Sequence, residues 1–98
     1  MKIIWSPQAN QNLNKIVEKI ALDKYETAFR WAKTVEKKVS RLKNFPKSGR
    51  VVPELGREEI REILVGSYRI IYKLEEFVSI LAVLHGSRKL PTDLKNIS

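Results

Sequence analysis

Apolar residues recur at helical spacing through the first half of this chain and at strand spacing through the second, with the change of period near Pro46. Ala9, Leu13, Ile16, Val17 and Ile20 share one side of a 3.6-residue repeat, with Asn12, Lys15 and Lys19 turned away. Ser6 and Pro7 mark the start of that helix. The hydroxyl accepts from an orphan amide, and the proline's missing N–H costs nothing at the first helical position. Asp23 with Glu26 three residues later reads as a capping box that opens a second helix running toward Asn44. Its stripe is Ala28, Ala32, Val35, Val39 and Leu42, widened by Tyr25, Phe29 and Trp31. At about 100° per residue, Arg30, Lys33, Lys37 and Arg41 fall on the opposite side. The two helices are expected to form an antiparallel hairpin that ends at Phe45 and Pro46, with a turn over Lys47, Ser48, Gly49 and Arg50.

Three short runs rich in β-branched and aromatic residues follow: Ile60 to Val65, Tyr68 to Leu74 and Phe77 to Leu84. Gly66-Ser67 and Glu75-Glu76 separate them, so they read as a three-strand antiparallel meander. Val51 to Glu59, which holds Pro53 and Gly56, reads as a loop, and Lys2 to Trp5 as an opening edge strand. The expected class is α+β, a single domain over residues 1–98 in the order strand, helix, helix, strand, strand, strand. The helical hairpin packs on one face of a small antiparallel sheet.

Composition narrows the chemistry. With no Cys and one His in 98 residues, a disulfide framework and a thiolate metal site are excluded, and His85 has no second imidazole for a metal cage. No metal and no cofactor are expected. The lack of cysteine, of a leader and of a long apolar run points to a cytoplasmic protein with no membrane association. The net charge of +8 is unevenly placed. Residues 1–49 carry eleven Lys or Arg against four Asp or Glu, whereas residues 50–98 carry eight against seven. The positive field therefore belongs to the helical half and favours an acidic partner, nucleic acid or protein. Arg30, Lys33, Lys37 and Arg41 have no acidic i,i+4 partner among them, so they form a basic helix face under mild self-repulsion.

Two further sites carry candidate chemistry. Arg69 interrupts an apolar strand between Tyr68 and Ile70, where a guanidinium is costly to bury alone. It is either paired across strands with Glu62, or exposed on the open sheet face, or aimed into a groove that takes phosphate or an acidic segment. His85 and Arg88 follow the last strand around Gly86. A His beside an Arg has the elements for acid–base catalysis and charge stabilisation in RNA cleavage; the alternative is a strand terminus that only makes hydrogen bonds.

The ordered pieces Pro-Lys-Ser-Gly-Arg-Val-Val-Pro-Glu-Leu from Pro46, Arg-Glu-Ile-Leu-Val-Gly-Ser-Tyr-Arg-Ile-Ile-Tyr-Lys from Arg61, and Ile-Leu-Ala-Val-Leu-His-Gly-Ser-Arg ending at Arg88 resemble the RelE/ParE family of toxins from type II toxin–antitoxin systems. The resemblance implies a helical hairpin on a small antiparallel sheet, and growth arrest by one of two routes. RelE-like members cut mRNA on the ribosome, and ParE-like members bind and inhibit DNA gyrase. Both kinds, known from plasmid stabilization, are neutralised by a cognate antitoxin whose C-terminal segment wraps the toxin, giving a hetero-oligomer. RelE-like cutters carry two lysines on the strand before the Tyr-Arg strand and a tyrosine in the tail. Here the matching positions hold Ile60 and Glu62, and Lys89 to Ser98 contains no tyrosine. Arg69 and Arg88 do match, so an mRNA interferase would rest on His85, Arg88 and Arg69, with His85 or Glu58 as the base. The long hairpin and Val83 to His85 look more like the ParE branch. The expectation is thus a gyrase-binding toxin; the alternatives are an mRNA interferase acting on the ribosome and an inactive relic that only binds its antitoxin. Arg50, Arg61, Arg69 and Arg88 are the residues expected to meet antitoxin or target.

Overall fold

The computed structural model describes residues 1–91 and 94. The chain runs β1 (Ile3–Trp5), α1 (Pro7–Asp23), α2 (Tyr25–Ser40), a 3-10 turn (Arg41–Lys43), β2 (Arg50–Val51), β3 (Ile60–Val65), β4 (Tyr68–Leu74) and β5 (Val78–His85). The predicted order holds, with the two-residue β2 added inside the stretch expected to be turn and loop. The five strands lie in the order β1-β5-β4-β3-β2. The meander is antiparallel as expected, but β1 joins β5 in parallel, Ile3 opposite Val78 and Trp5 opposite Ile80, so the sheet is mixed. The β3–β4 hairpin turns on Gly66, whose φ of 60° supplies the positive dihedral a two-residue hairpin loop needs at its first position.

Ser6 starts α1 as its sequence context predicts: its Oγ accepts from the Ala9 amide at 3.0 Å, while Pro7 fills the first helical position. The same hydroxyl donates to the Leu81 carbonyl. Leu81 lies where the β4–β5 register shifts, with Ile71 opposite Ala82 but Tyr72 opposite Ile80. Because β1 reaches only as far as Ile80, the edge of β5 beyond it needs other partners. Ser6 takes Leu81, and Asn12 Oδ1 accepts from the Val83 amide at 3.1 Å. Asn12 therefore faces the sheet rather than solvent, contrary to the expectation from periodicity.

The predicted capping box does not form. Asp23 is still helical, as the last residue of α1, so its carboxylate is not at a cap position; the extended Lys24 alone separates the helices. Glu26 instead sits in the first turn of α2, where a negative charge complements the helix dipole. Helical geometry ends at Ser40, short of Asn44, and tightens into the 3-10 turn. Ala28, Val35, Val39 and Leu42 are buried as read, and Trp31 packs against them with its indole N–H directed at the Val65 carbonyl. Tyr25 and Phe29 are not part of that stripe: they are 74% and 55% exposed.

Both sheet faces are covered. On one, Ile70, Tyr72, Val78, Ile80 and Val83 pack against Ala9, Val35, Val39 and Leu42 of the helical layer. On the other, Ile60, Ile71, Ala82 and Leu84 are covered by Val52 and Leu55 of the β2–β3 connection and by Leu90 and Leu94. The face expected to be open is thus largely closed, which is why central β4 reads as an almost continuous apolar run.

Tyr72 locks the turn before β2. Its hydroxyl donates to the Pro46 carbonyl at 2.6 Å and accepts from the Gly49 amide at 3.1 Å, and burial pushes its phenol above the ordinary range. A Cβ at Gly49 would lie 2.6 Å from that hydroxyl and 2.7 Å from the Glu62 carbonyl oxygen. Gly49→Ala is therefore expected to destabilise the fold by about 1–3 kcal/mol through overpacking. A urea melt within a few tenths of wild type would show that the turn yields instead.

Candidate functional site

Strand register brings Arg50, Glu62 and Arg69 into one line across β2, β3 and β4. Arg50 lies directly opposite Glu62, and Arg69 two residues along β4, on the same face, from the Ile71 that pairs with it. The Glu62 carboxylate is only 1% exposed, and each of its oxygens accepts from a different arginine: Oε2 from Arg50 Nε at 2.6 Å and Oε1 from Arg69 Nε at 2.7 Å. Arg69 turns its remaining edge to Glu54, in the connection after β2, with Nη1 and Nη2 at 2.7 and 2.8 Å from the two carboxylate oxygens. The result is an alternating chain, Arg50–Glu62–Arg69–Glu54, whose formal charges cancel. Such fork-to-carboxylate bonds are the strong kind of charge-assisted hydrogen bond.

Of the readings open for Arg69, the cross-strand pair with Glu62 is the one realised. Its hydrogen bonds to Glu54, more than the ion pairing itself, hold that carboxyl below the usual carboxylate range. Arg69 is correspondingly held above the ordinary arginine value, first by Glu54 and then by Glu62, against the opposing effect of burial. Sequence reading anticipated the pair with Glu62 but not Glu54, which sits in a stretch with no periodicity to assign it a direction.

The other arginines divide by exposure. Arg61 donates to the Gly49 and Glu58 carbonyls and to the Glu58 carboxylate, and its side chain is 12% exposed, so it staples the turn before β2. Arg50 is 57% exposed and keeps an open edge. Arg88 is exposed just past β5, its amide bonded to the His85 carbonyl. His85 pairs with Tyr68, and its ring packs edge-on against that tyrosine at 5.4 Å, which in turn packs on Trp31 of α2 at 5.1 Å. The Ser87 amide can only donate, so His85 Nδ1 accepts there. His85 thus belongs to the helix-covered face of the sheet, whereas Arg69, opposite Leu84, belongs to the other. His85 and Arg69, two of the three residues expected for an mRNA interferase with Arg88, thus lie on opposite faces of the sheet.

On the helical side, α2 stands away from α1 and β1 along its second half and leaves an open groove of about 1240 Å³. Ile3, Trp5, Leu13, Val35 and Val39 form its apolar floor, and Lys33, Lys37, Arg41 and Lys43 its rim, with Glu36 the one acidic residue lining it. Three of the four residues of the predicted basic helix face thus border a concave surface; Arg30 lies nearer the hairpin tip. The groove had no sequence signal, because it depends on how far two helices splay. No group of three or more His, Cys, Asp or Glu placed to hold a metal ion occurs among the described residues, and no described helix is long and apolar enough to cross a membrane.

Because the buried Glu62 carboxylate neutralises the buried Arg69 and also pairs the more exposed Arg50, Glu62→Gln is expected to cost about 3–5 kcal/mol of stability, the usual penalty for breaking a buried ion pair. Glu54→Gln should cost less, and in a pH-dependent way. A carboxylate whose folded pKa is lowered contributes its full stability above the ordinary value and loses it as pH falls through the folded one. The gap between wild type and Glu54→Gln in urea melts should therefore close on acidification; a gap constant with pH would count against the bidentate pair.

No curated protein sequence matches the chain significantly. Among solved structures, one from the "Chromosomal ParDE TA system from P. aeruginosa" superposes with a TM-score of 0.71 at 17% identity, covering 87% of this chain and 95% of that one. At that identity the likeness is one of fold. The sequence itself decides the family, since the model described as "ParE toxin of type II toxin-antitoxin system, parDE" matches residues 3–90. A match running from the first strand through the turn that carries Arg88 leaves little of the chain outside it, and the protein belongs to the ParE toxin family.

Proposed function

We propose that this chain arrests growth by occupying a protein target, DNA gyrase, and that it is neutralised by an antitoxin seated in the basic-rimmed groove. The separation of Arg69 and His85 onto opposite sheet faces carries the choice between blocker and nuclease. A nuclease needs an acid–base group and a cation at the same phosphate, and removing such a group costs on the order of 100-fold or more. Here the buried arginine is already committed to two carboxylates, and the exposed histidine packs edge-on against Tyr68 on the opposite face of the sheet. Inhibition by occupation requires surface complementarity and no such convergence.

The groove suits an antitoxin segment of definite chemistry. Its apolar floor calls for an amphipathic strand or helix, and its lysine and arginine rim for carboxylates on that segment's outer edges. The P. aeruginosa structure carries the name of a toxin–antitoxin pair, which supports a partner of this kind. Arg50 and Arg88, both exposed, remain available to it or to the target, whereas Arg61 and Arg69 act through the fold.

Expression without a partner is expected to stop bacterial growth, and purified protein to lower gyrase supercoiling as it is titrated in. His85→Ala should retain most toxicity, and translating mRNA should remain uncut. Ribosome-dependent cleavage abolished by His85→Ala or Arg88→Ala, with supercoiling untouched, would move the chain to the RNA-cutting branch.

A further inference from the structure

The tip of the helical hairpin carries an apolar surface that the fold does not use. Leu22 lies in the last turn of α1, and Tyr25 and Phe29 occupy successive turns of α2 across the one-residue link at Lys24; they are 89%, 74% and 55% exposed. Single exposed hydrophobes are ordinary, but three large ones within eight residues are not a scattered background. None of them belongs to either core cluster, since Ala28, Trp31 and Val35 supply the inward side of α2.

We propose that Leu22, Tyr25 and Phe29 form a knob that docks into an apolar, carboxylate-rimmed recess on the toxin's protein target. This rests on the toxin reading above. Charge selects the occupant. Lys19, Lys24, Arg30 and Lys33 surround the tip against Asp23 and Glu26, and the α2 ridge continues as Tyr25, Phe29, Lys33, Lys37 and Arg41 at four-residue steps. An acidic protein rim matches that ridge, whereas a second copy of a chain with net charge +8 is repelled by it. A nucleic acid is the poorer fit. Lys33 Nζ lies 5.5 Å from the centroid of the Phe29 ring and covers a face a base would stack on, and Leu22 offers no ring at all. The tip is also separate from the groove, which takes its α2 residues from Ala32 onward, so target and antitoxin surfaces are distinct apart from Lys33.

The test is the double variant Leu22→Ser/Phe29→Ser, examined by thermal melting, gyrase supercoiling, growth arrest and binding of a labelled DNA duplex. A wild-type melting curve with at least about a 30-fold loss of inhibitory potency and no growth arrest is expected, the scale of losing interface anchors. Undiminished potency overturns the proposal, as does a variant that loses duplex binding while gyrase inhibition stays intact. If wild type arrests growth without touching supercoiling, the gyrase reading fails, and growth alone decides the knob: arrest lost in the variant upholds it, arrest kept overturns it. A wild-type chain harmless in both assays sinks toxin and knob together. Should the double variant melt early, Tyr25→Ser and Phe29→Ser singly carry the same comparison at positions more than half exposed.

Discussion

A carboxylate shut away from water between two guanidinium groups is the constraint around which the sheet half of this protein is arranged. Glu62 sits on β3, and satisfying it requires β2 on one side to deliver Arg50 and β4 on the other to deliver Arg69. A two-residue strand would have little reason to hold its place by backbone pairing alone. Its position is set by the ion pair, by Arg61 gripping the Gly49 carbonyl and by Tyr72 gripping the Gly49 amide. Glu54 then closes the far side of Arg69 and draws in the connection after β2, whose Val52 and Leu55 cover the apolar part of the same face. Desolvating these charges is costly, and the arrangement is favourable only because every partner is present; removal of any one leaves an uncompensated charge.

That local solution shapes what the protein can do. An arginine fully occupied by two carboxylates is a poor receptor for phosphate, and the face it sits on is closed by the very loop that supplies one of them. The open surfaces on the other side of the molecule are the groove the helices leave and the apolar tip of the hairpin. The two surfaces differ in shape as well as place: one is concave with an apolar floor, the other convex.

The sequence disclosed the elements because each has a strong local signal. Ser6-Pro7 marked a helix start, Gly66-Ser67 a hairpin, and the β-branched runs their strands almost to the residue. Periodicity erred where tertiary contacts override it: Asn12 looked outward by spacing but serves the free edge of β5, and Tyr25 and Phe29 looked like core yet lie beyond the layer they would pack against. Asp23 failed as a cap because α1 extends through it. The pairing of Arg69 with Glu62 was readable from two charges placed on adjacent strands. The contribution of Glu54 was not, since a loop residue's direction is fixed only by the fold. Nor could composition reveal that Arg69 and His85 point to opposite faces, which depends on the one-residue offset between Arg69–Leu84 and Tyr68–His85 in the ladder.

Pairing also explains why net charge and useful charge differ along the chain. Among residues 50–98 Arg50, Arg57, Arg61 and Arg69 each face a glutamate, with Arg88 exposed past β5, so that half contributes little long-range field. In the helical half most cations have no carboxylate neighbour among the described residues, Lys33 with Glu36 being a weak, exposed exception at 3.8 Å. The molecule is in effect a dipole-like body whose positive end is the hairpin. An acidic partner approaching by diffusion is turned toward that end before any apolar contact forms, and steering of this kind fades as salt shortens the Debye length to about 8 Å near physiological ionic strength. On the proposed reading, charge would govern how quickly partners find the groove and the tip, and the apolar floor and knob how long they stay.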